Sequence, residues 1–296
     1  MDIKIIYEDS DLLVIDKPSG ITVNRSDTTK DEETVQDFAE KKLKIHMSAE
    51  VASKDFRVPN AGGSSSESNS YGAKVHSENF ESSPRSIEED FYKRKGIVHR
   101  LDKETSGILL IAKNPASFLN LQKQFKERRV EKTYIALVHG EVKPEIGEIN
   151  VPVGRLPFNR KRFGVVAGGR EAVTKYKLLS VFSSRLSSNS QPVLGSSVQK
   201  NRQQITESYS LLELYPKTGR THQIRVHLKY FGHPVFSDPL YGGRKTARKD
   251  RKVLPRLFLH AFEISFLHPK TGKEVSFKSN LPVQLQNFLD GLIKIS

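Results

Sequence analysis

Short apolar runs broken by polar turn residues dominate the chain, and their periodicity predicts strands interleaved with a few helices. Ile3 to Tyr7 and Leu12 to Ile15, separated by Glu8-Asp9-Ser10-Asp11, read as a hairpin at a sheet edge. Residues 34–43 place Val35, Phe38 and Leu43 on one helical face. Ile97-Val98 and Ile108 to Ala112 read as short buried strands around a polar loop. The pattern Asn114-Pro115 followed by Phe118, Leu121 and Phe125 predicts a capped helix to about Glu127. Further strands are expected at Lys132–Val138, Glu171–Leu179, Tyr209–Leu214, Phe258–Phe266 and Glu274–Lys278. Thr221 caps an expected helix that runs to Phe231, and a last helix spans Pro282 to Ile293.

Two segments break this rhythm. Residues 60–90 are rich in Ser, Glu, Gly and Asn, which predicts a disordered surface insertion, because so few apolar groups cannot offset chain entropy. Residues 183–207 read as a second polar insertion, a long hairpin connection. Two stretches are strongly basic: Arg155 to Arg162, with Arg160, Lys161 and Arg162 in a loop or hairpin arm, and Arg244 to Lys252, which starts with Arg244-Lys245. Either suits backbone phosphates; otherwise the first is a solvated charge run and the second a solvated loop.

Composition sharpens the choice of partner. Among 296 residues, 48 Lys and Arg face 34 Asp and Glu, a net charge of +14 that favours a polyanionic partner. With no cysteine there is no disulfide framework, thiolate nucleophile or Cys-ligated metal. No apolar run reaches the length of a membrane span, and no signal-peptide core precedes the first strand. The expectation is a soluble intracellular monomer, cytoplasmic or organellar, with no membrane contact.

The polar loop carries His99-Arg100-Leu101-Asp102-Lys103-Glu104-Thr105-Ser106-Gly107. Thr, Ser and Gly suit a tight turn between buried strands, so Asp102 points from a rigid support. A lone loop Asp most often satisfies turn amides, but this string resembles the H-R-L-D-x-x-T-S-G signature of the RluA-type pseudouridine synthases. Three more strings follow in that family's order: Asp11 to Ile21, the K-x-Y-x-A string at Lys132 to Ala136, and Gly219-Arg220-Thr221-His222-Gln223-Ile224-Arg225-Val226-His227. Gly232-His233-Pro234-Val235, Asp238-Pro239-Leu240-Tyr241-Gly242 and Leu259-His260-Ala261 also fit. The small RNA-binding S4 domain that many members carry before the first motif is not expected here.

The resemblance implies an α+β fold, a large mixed and mostly antiparallel sheet with flanking helices and a central cleft, formed by residues 1–296 as one catalytic domain. It implies isomerisation of uridine to pseudouridine in structured RNA, rRNA or tRNA, with Asp102 as the catalytic carboxylate, Tyr134 against the target base and Arg225 paired with Asp102. By periodicity alone Arg225 sits at the margin of its helix's buried stripe. Arg100 is the candidate to fill the gap left by a flipped base, whereas His99 reads as a positioning residue. Arg160, Lys161, Arg162, Arg220, Arg244 and Lys245 are the candidate RNA contacts. An ionised Asp102 can attack uracil C6 or sugar C1′, or act as a base at C2′, and the sequence leaves these open. No metal or organic cofactor is required. Two other functions fit the same residues: an RNA-binding module that no longer catalyses, and a hydrolytic N-glycosidase that releases free uracil.

Overall fold

The computed structural model describes residues 1–26, 29, 31–44, 84–184 and 207–296, with every side chain among them except those of 84–87, 160 and 161. The strands are β1 (Lys4–Glu8), β2 (Leu12–Lys17), β3 (Ser106–Ala112), β4 (Glu131–His139), β5 (Ile146–Asn150), β6 (Val153–Leu156), β7 (Asn159–Val165), β8 (Val173–Ser183), β9 (Ser208–Pro216), β10 (Leu259–Leu267), β11 (Glu274–Lys278) and β12 (Ile293–Lys294). The helices are α1 (Val35–Leu43), α2 (Pro84–Arg94), α3 (Pro115–Lys126), α4 (Gln223–Tyr230), α5 (Arg244–Val253) and α6 (Val283–Asp290).

Ten strands join in one sheet in the order β1-β2-β3-β10-β4-β9-β8-β12, with β11 added to β10 and β5 to β8. Every pair is antiparallel except β3 with β10, and β6 and β7 form a hairpin of their own. This is the expected α+β architecture, with β1 and β2 at one sheet edge as their pattern indicated. Side-chain alternation loads both faces of the sheet. In β2 and β3, Leu12, Val14, Ile108 and Leu110 pack with Phe118 and Leu121 of α3, while Leu13, Ile15, Leu109 and Ile111 pack with Val35 and Ala39 of α1. Across β4 and β9, Ala136, Val138, Leu212 and Leu214 meet Ile224 and Leu228 of α4. The opposite face, through Ile135 and Leu137, meets Leu285 and Leu289 of α6.

The parallel contact between β3 and β10 positions the polar loop. It spans two register pairs, Ser106 with His260 and Gly107 with Ala261. A Cβ on Gly107 would lie 2.2 Å from the Ala261 carbonyl oxygen, and its φ of +113° excludes other residues in any case. The glycine that closes the motif therefore serves close strand approach rather than a free turn.

Several expectations need correction. The insertion expected over 60–90 lies mostly outside the described residues, but 84–90 belong to α2. A polar segment folds there because Phe91, 3% exposed, anchors it edge-on to Phe118 at 5.8 Å. The second insertion falls outside the described residues at 185–206, and Ser183 ends β8. The basic run 244–252 is helix α5, not a loop. It has almost no apolar face, so buried Asp250 fixes it, bonded to His139 and to the Ser237 amide. Thr221 caps nothing; α4 begins after His222, whose backbone is left-handed at φ 56°. Ile97 makes only an isolated bridge to Ile111. No described helix is long and apolar enough to cross a membrane.

Candidate active-site cleft

The loop from His99 to Ser106 is clamped on several sides. His99 Nε2 accepts the Leu110 amide at 3.0 Å, and its ring stacks on Phe125 at 4.9 Å. Burial, with Lys132 and Arg94 nearby, pushes its pKa down to about 3, so the ring is neutral and can accept that bond. On the other side, Ser106 bonds to His260 Nδ1 at 2.9 Å and accepts from Arg256 at 2.6 Å. Lys17, fully buried at the end of β2, donates to the carbonyls of Pro18, Ile21 and Lys103 at 2.9, 2.9 and 3.0 Å. Burial pulls its ammonium down to about 7 against the attraction of Asp102. Glu104 accepts both ends of the Arg251 guanidinium, at 2.9 and 3.0 Å, and Arg251 also donates to the Ser237 carbonyl. The motif is thus tied to β2, β10 and α5 at once.

Asp102 stands on this support with its side chain 17% exposed. Arg225 Nη1 donates to Asp102 Oδ2 at 3.1 Å, and the rest of the guanidinium forks onto Asp238, with Nε to Oδ2 at 2.7 Å and Nη2 to Oδ1 at 2.9 Å. Asp102 Oδ1 has no hydrogen-bond partner among the described residues. Burial alone would lower the Arg225 pKa, but hydrogen bonds and charge from Asp238 and Asp102 raise it instead. The arginine is a fixed cation with planar geometry, which lysine could not supply. Far from marginal, Arg225 is 5% exposed: Asp238, itself fully buried, draws it inward. Its flat face lies 5.0 Å from the Tyr241 ring. Tyr241 accepts the Phe163 amide at the root of the β6–β7 hairpin and bonds His222 Nδ1 at 2.9 Å. His222 Nε2 comes within 4.0 Å of Asp102, and burial lowers its pKa despite that carboxylate.

Around Asp102 opens a cleft of about 540 Å³, lined among others by Arg100, Lys126, Lys132, Tyr134, Lys217 and Arg220. Tyr134 extends from β4 on the face shared by Ala136 and Val138, as its alternation indicated. Burial, then the Asp102 charge, raises its pKa, so it is a neutral phenol at physiological pH. Burial and the neighbouring Lys217 pull Lys132 down to about 8. Arg220 lines the cleft while its Nε donates to the Glu171 carbonyl at 3.0 Å. Among the described residues no three His, Asp or Glu side chains converge as metal ligands.

Of the residues singled out in the sequence, Asp102, Tyr134, Arg225, Arg100 and Arg220 therefore meet in one cleft. Arg162, exposed on β7, and Arg244 and Lys245, exposed at the start of α5, do not line it. Arg160 and Lys161 lie on β7 beside Arg162, with side chains outside the described set. Sequence reasoning missed Asp238, Arg251, Lys132 and Lys217. Asp238 was visible as the first residue of a string that fits the family, with no role attached to it, and nothing local tied Arg251 to Glu104.

An anchored carboxylate at the base of a cation-walled cleft makes a candidate site open to a polyanion. Comparison with known proteins narrows this class. Residues 11–230 match the RNA pseudouridylate synthase family. An uncharacterised RNA pseudouridine synthase of Chloroflexus aurantiacus is 42% identical over 65% of this chain and 52% of its own length. An uncharacterised RNA pseudouridine synthase of Bacillus subtilis is 30% identical over 99% of this chain and 74% of its own length. The ribosomal large subunit pseudouridine synthase C of Buchnera aphidicola is 30% identical over 98% and 71%. The chain thus spans about half the length of the Chloroflexus relative and nearly three quarters of the other two. Among solved structures, human RNA pseudouridylate synthase domain containing 1 shares the fold, with a TM-score of 0.62 at 23% identity, covering 100% of this chain and 89% of that one. The chain belongs to the RNA pseudouridylate synthase family, as the resemblance to RluA-type enzymes implied.

Proposed function

We propose that the chain works as a single catalytic domain and a monomer, isomerising specific uridines to pseudouridine in structured RNA with Asp102 as the reacting carboxylate. The observation that carries this is the asymmetric anchoring of Asp102: one oxygen is held by Arg225 and the other has no partner among the described residues. A carboxylate fixed in this way stays oriented while keeping one oxygen for the substrate.

The reaction breaks the N1–C1′ bond, turns the uracil and joins C5 to C1′; C5 loses its proton and N1 regains one. Asp102 Oδ1 serves as the nucleophile at C1′ or C6, or as the base at C2′. Arg225, bonded to Oδ2, orients the carboxyl group so that Oδ1 faces the substrate. Tyr134, a neutral phenol, offers a stacking face and a hydroxyl to the base rather than a phenolate. Arg100 is exposed at the cleft and has no partner among the described residues, which suits it to fill the stack vacated by the flipped uridine. Arg220 lies in the cleft, while Arg160, Lys161, Arg162, Arg244 and Lys245 engage backbone phosphates farther out.

Because the Buchnera relative is named for the ribosomal large subunit, large-subunit rRNA is the first substrate to try, with tRNA second. The test uses transcripts labelled with tritium at uracil C5, since joining C5 to the sugar expels that hydrogen. The wild-type protein should release tritium to water, and Asp102→Asn should release none. Tritium recovered in free uracil would mean a hydrolase, and RNA binding without release would mean a binding module.

A further inference from the structure

Lys132 is a costly residue with no visible use. It extends from β4 on the same face as Tyr134, two residues and so about 7 Å farther along the strand. It lines the cleft, yet among the described residues it makes no hydrogen bond and no ion pair. Lys217, in the turn that follows β9, lines the same wall, and its ammonium is likewise unpaired among the described residues. Glu171 is engaged with Arg128 at 3.3 Å and Glu263 with Lys278 at 3.4 Å, and Asp102, which lines the same cleft, is held by Arg225. His99, which also feels the charge of Lys132, stays neutral. Two like charges, Lys132 half-buried and Lys217 exposed, therefore line one cleft with no hydrogen-bonded or ion-paired anion among the described residues. That arrangement is unfavourable in the free protein and becomes favourable only when an anion arrives.

Building on the reading of the cleft as an RNA site, we infer that Lys132 and Lys217 form the seat of one backbone phosphate next to the nucleotide whose base lies against Tyr134. The pair fixes the sugar–phosphate of the flipped nucleotide over Asp102, so that the reacting C1′ is placed by its phosphate as well as by its base. Lys132 is already half-buried before binding, which makes its contact stronger than one from a fully exposed lysine, while the exposed Lys217 adds a second positive charge beside it.

The test measures binding of a short fluorescein-labelled oligouridylate to Lys132→Met, Lys217→Met and Lys132→Arg proteins across a series of potassium chloride concentrations. Each Met variant should bind several-fold more weakly at low salt and lower the salt slope by about 0.7, the value for one phosphate contact on a single strand. Lys132→Arg should restore the slope. Lys132→Met should also melt at a higher temperature than wild type, because a desolvated charge without a partner has gone. Lys294→Met, on the far sheet edge, should change nothing. An unchanged slope, a lower melting temperature with an unchanged slope, or no binding by the wild-type protein would each overturn the assignment. Isomerisation is scored separately on labelled rRNA transcripts. A slope lost without isomerisation keeps the phosphate seat and removes the enzymatic reading, while isomerisation with an unchanged slope does the opposite.

Discussion

Two sets of cations surround Asp102, and they differ in what they touch. Arg225, Arg251 and Lys17 are filled by protein acceptors: two aspartates, a glutamate with a carbonyl, and three carbonyls. Arg100, Lys126, Lys132 and Lys217 line the cleft with no such acceptor among the described residues. Lys17 and Lys132 make the contrast sharpest, since burial lowers both ammoniums, yet one has three oxygens within 3.0 Å and the other has none. Filled cations build the site; the open ones have no protein acceptor among the described residues and suit an incoming anion. Charge alone does not separate the two sets, but partnership does.

The contrast breaks most severely at Arg225. Arg225→Met should lower kcat by about two to three orders of magnitude. Leaving Asp238 charged and unpaired in the interior should also cost about 3–5 kcal/mol of stability by urea titration. Arg225→Lys should recover only part of either, lacking the fork that spans Asp238. Next in size is Arg251, a filled cation away from the reacting atoms. Arg251→Met should reduce kcat by about tenfold with KM nearly unchanged in steady-state assays, because the Glu104 loop loosens while the cleft keeps its charge. The open set should respond instead to pH. Lys132 is charged below about 8 in the folded protein, and phosphodiesters do not titrate in this range, so RNA affinity should fall as pH rises through about 8. In Lys132→Met that step should vanish. The smallest effects are expected at Arg244→Ala and Lys245→Ala, outside the cleft. Each should lower the salt slope of RNA binding by about one and leave kcat at saturating RNA unaltered.

How far the sequence carries depends on where each residue finds its partner. Asp102 and Tyr134 were legible because the motif strings hold them in local context, Tyr134 by strand alternation and Asp102 by a loop between apolar runs. Arg225 was legible as a partner for Asp102 but not as a buried group. Helical periodicity puts it at the stripe margin, and what buries it is Asp238, supplied by the turn after the helix. Helix α5 was hidden for the same kind of reason. Its window lacks apolar spacing, and it is held by Asp250 and Arg251 reaching β4, the Ser237 loop and Glu104. Residues 84–90 were misread because composition counts the polar residues and misses the anchor that follows them, Phe91, which docks on α3. Lys132 was quoted only as part of a string. Its lack of a partner is a property of the assembled cleft, and no local pattern encodes it.

The most direct test of the central claim is quantitative pseudouridine mapping of cellular RNA. Three strains are compared: one with the intact gene, one with the gene deleted, and one complemented by Asp102→Ala. The account predicts a small set of sites that disappear on deletion, return with the wild-type gene and stay absent with the alanine variant. Sites restored by Asp102→Ala, or a map unchanged by deletion while the protein still binds RNA, would contradict it.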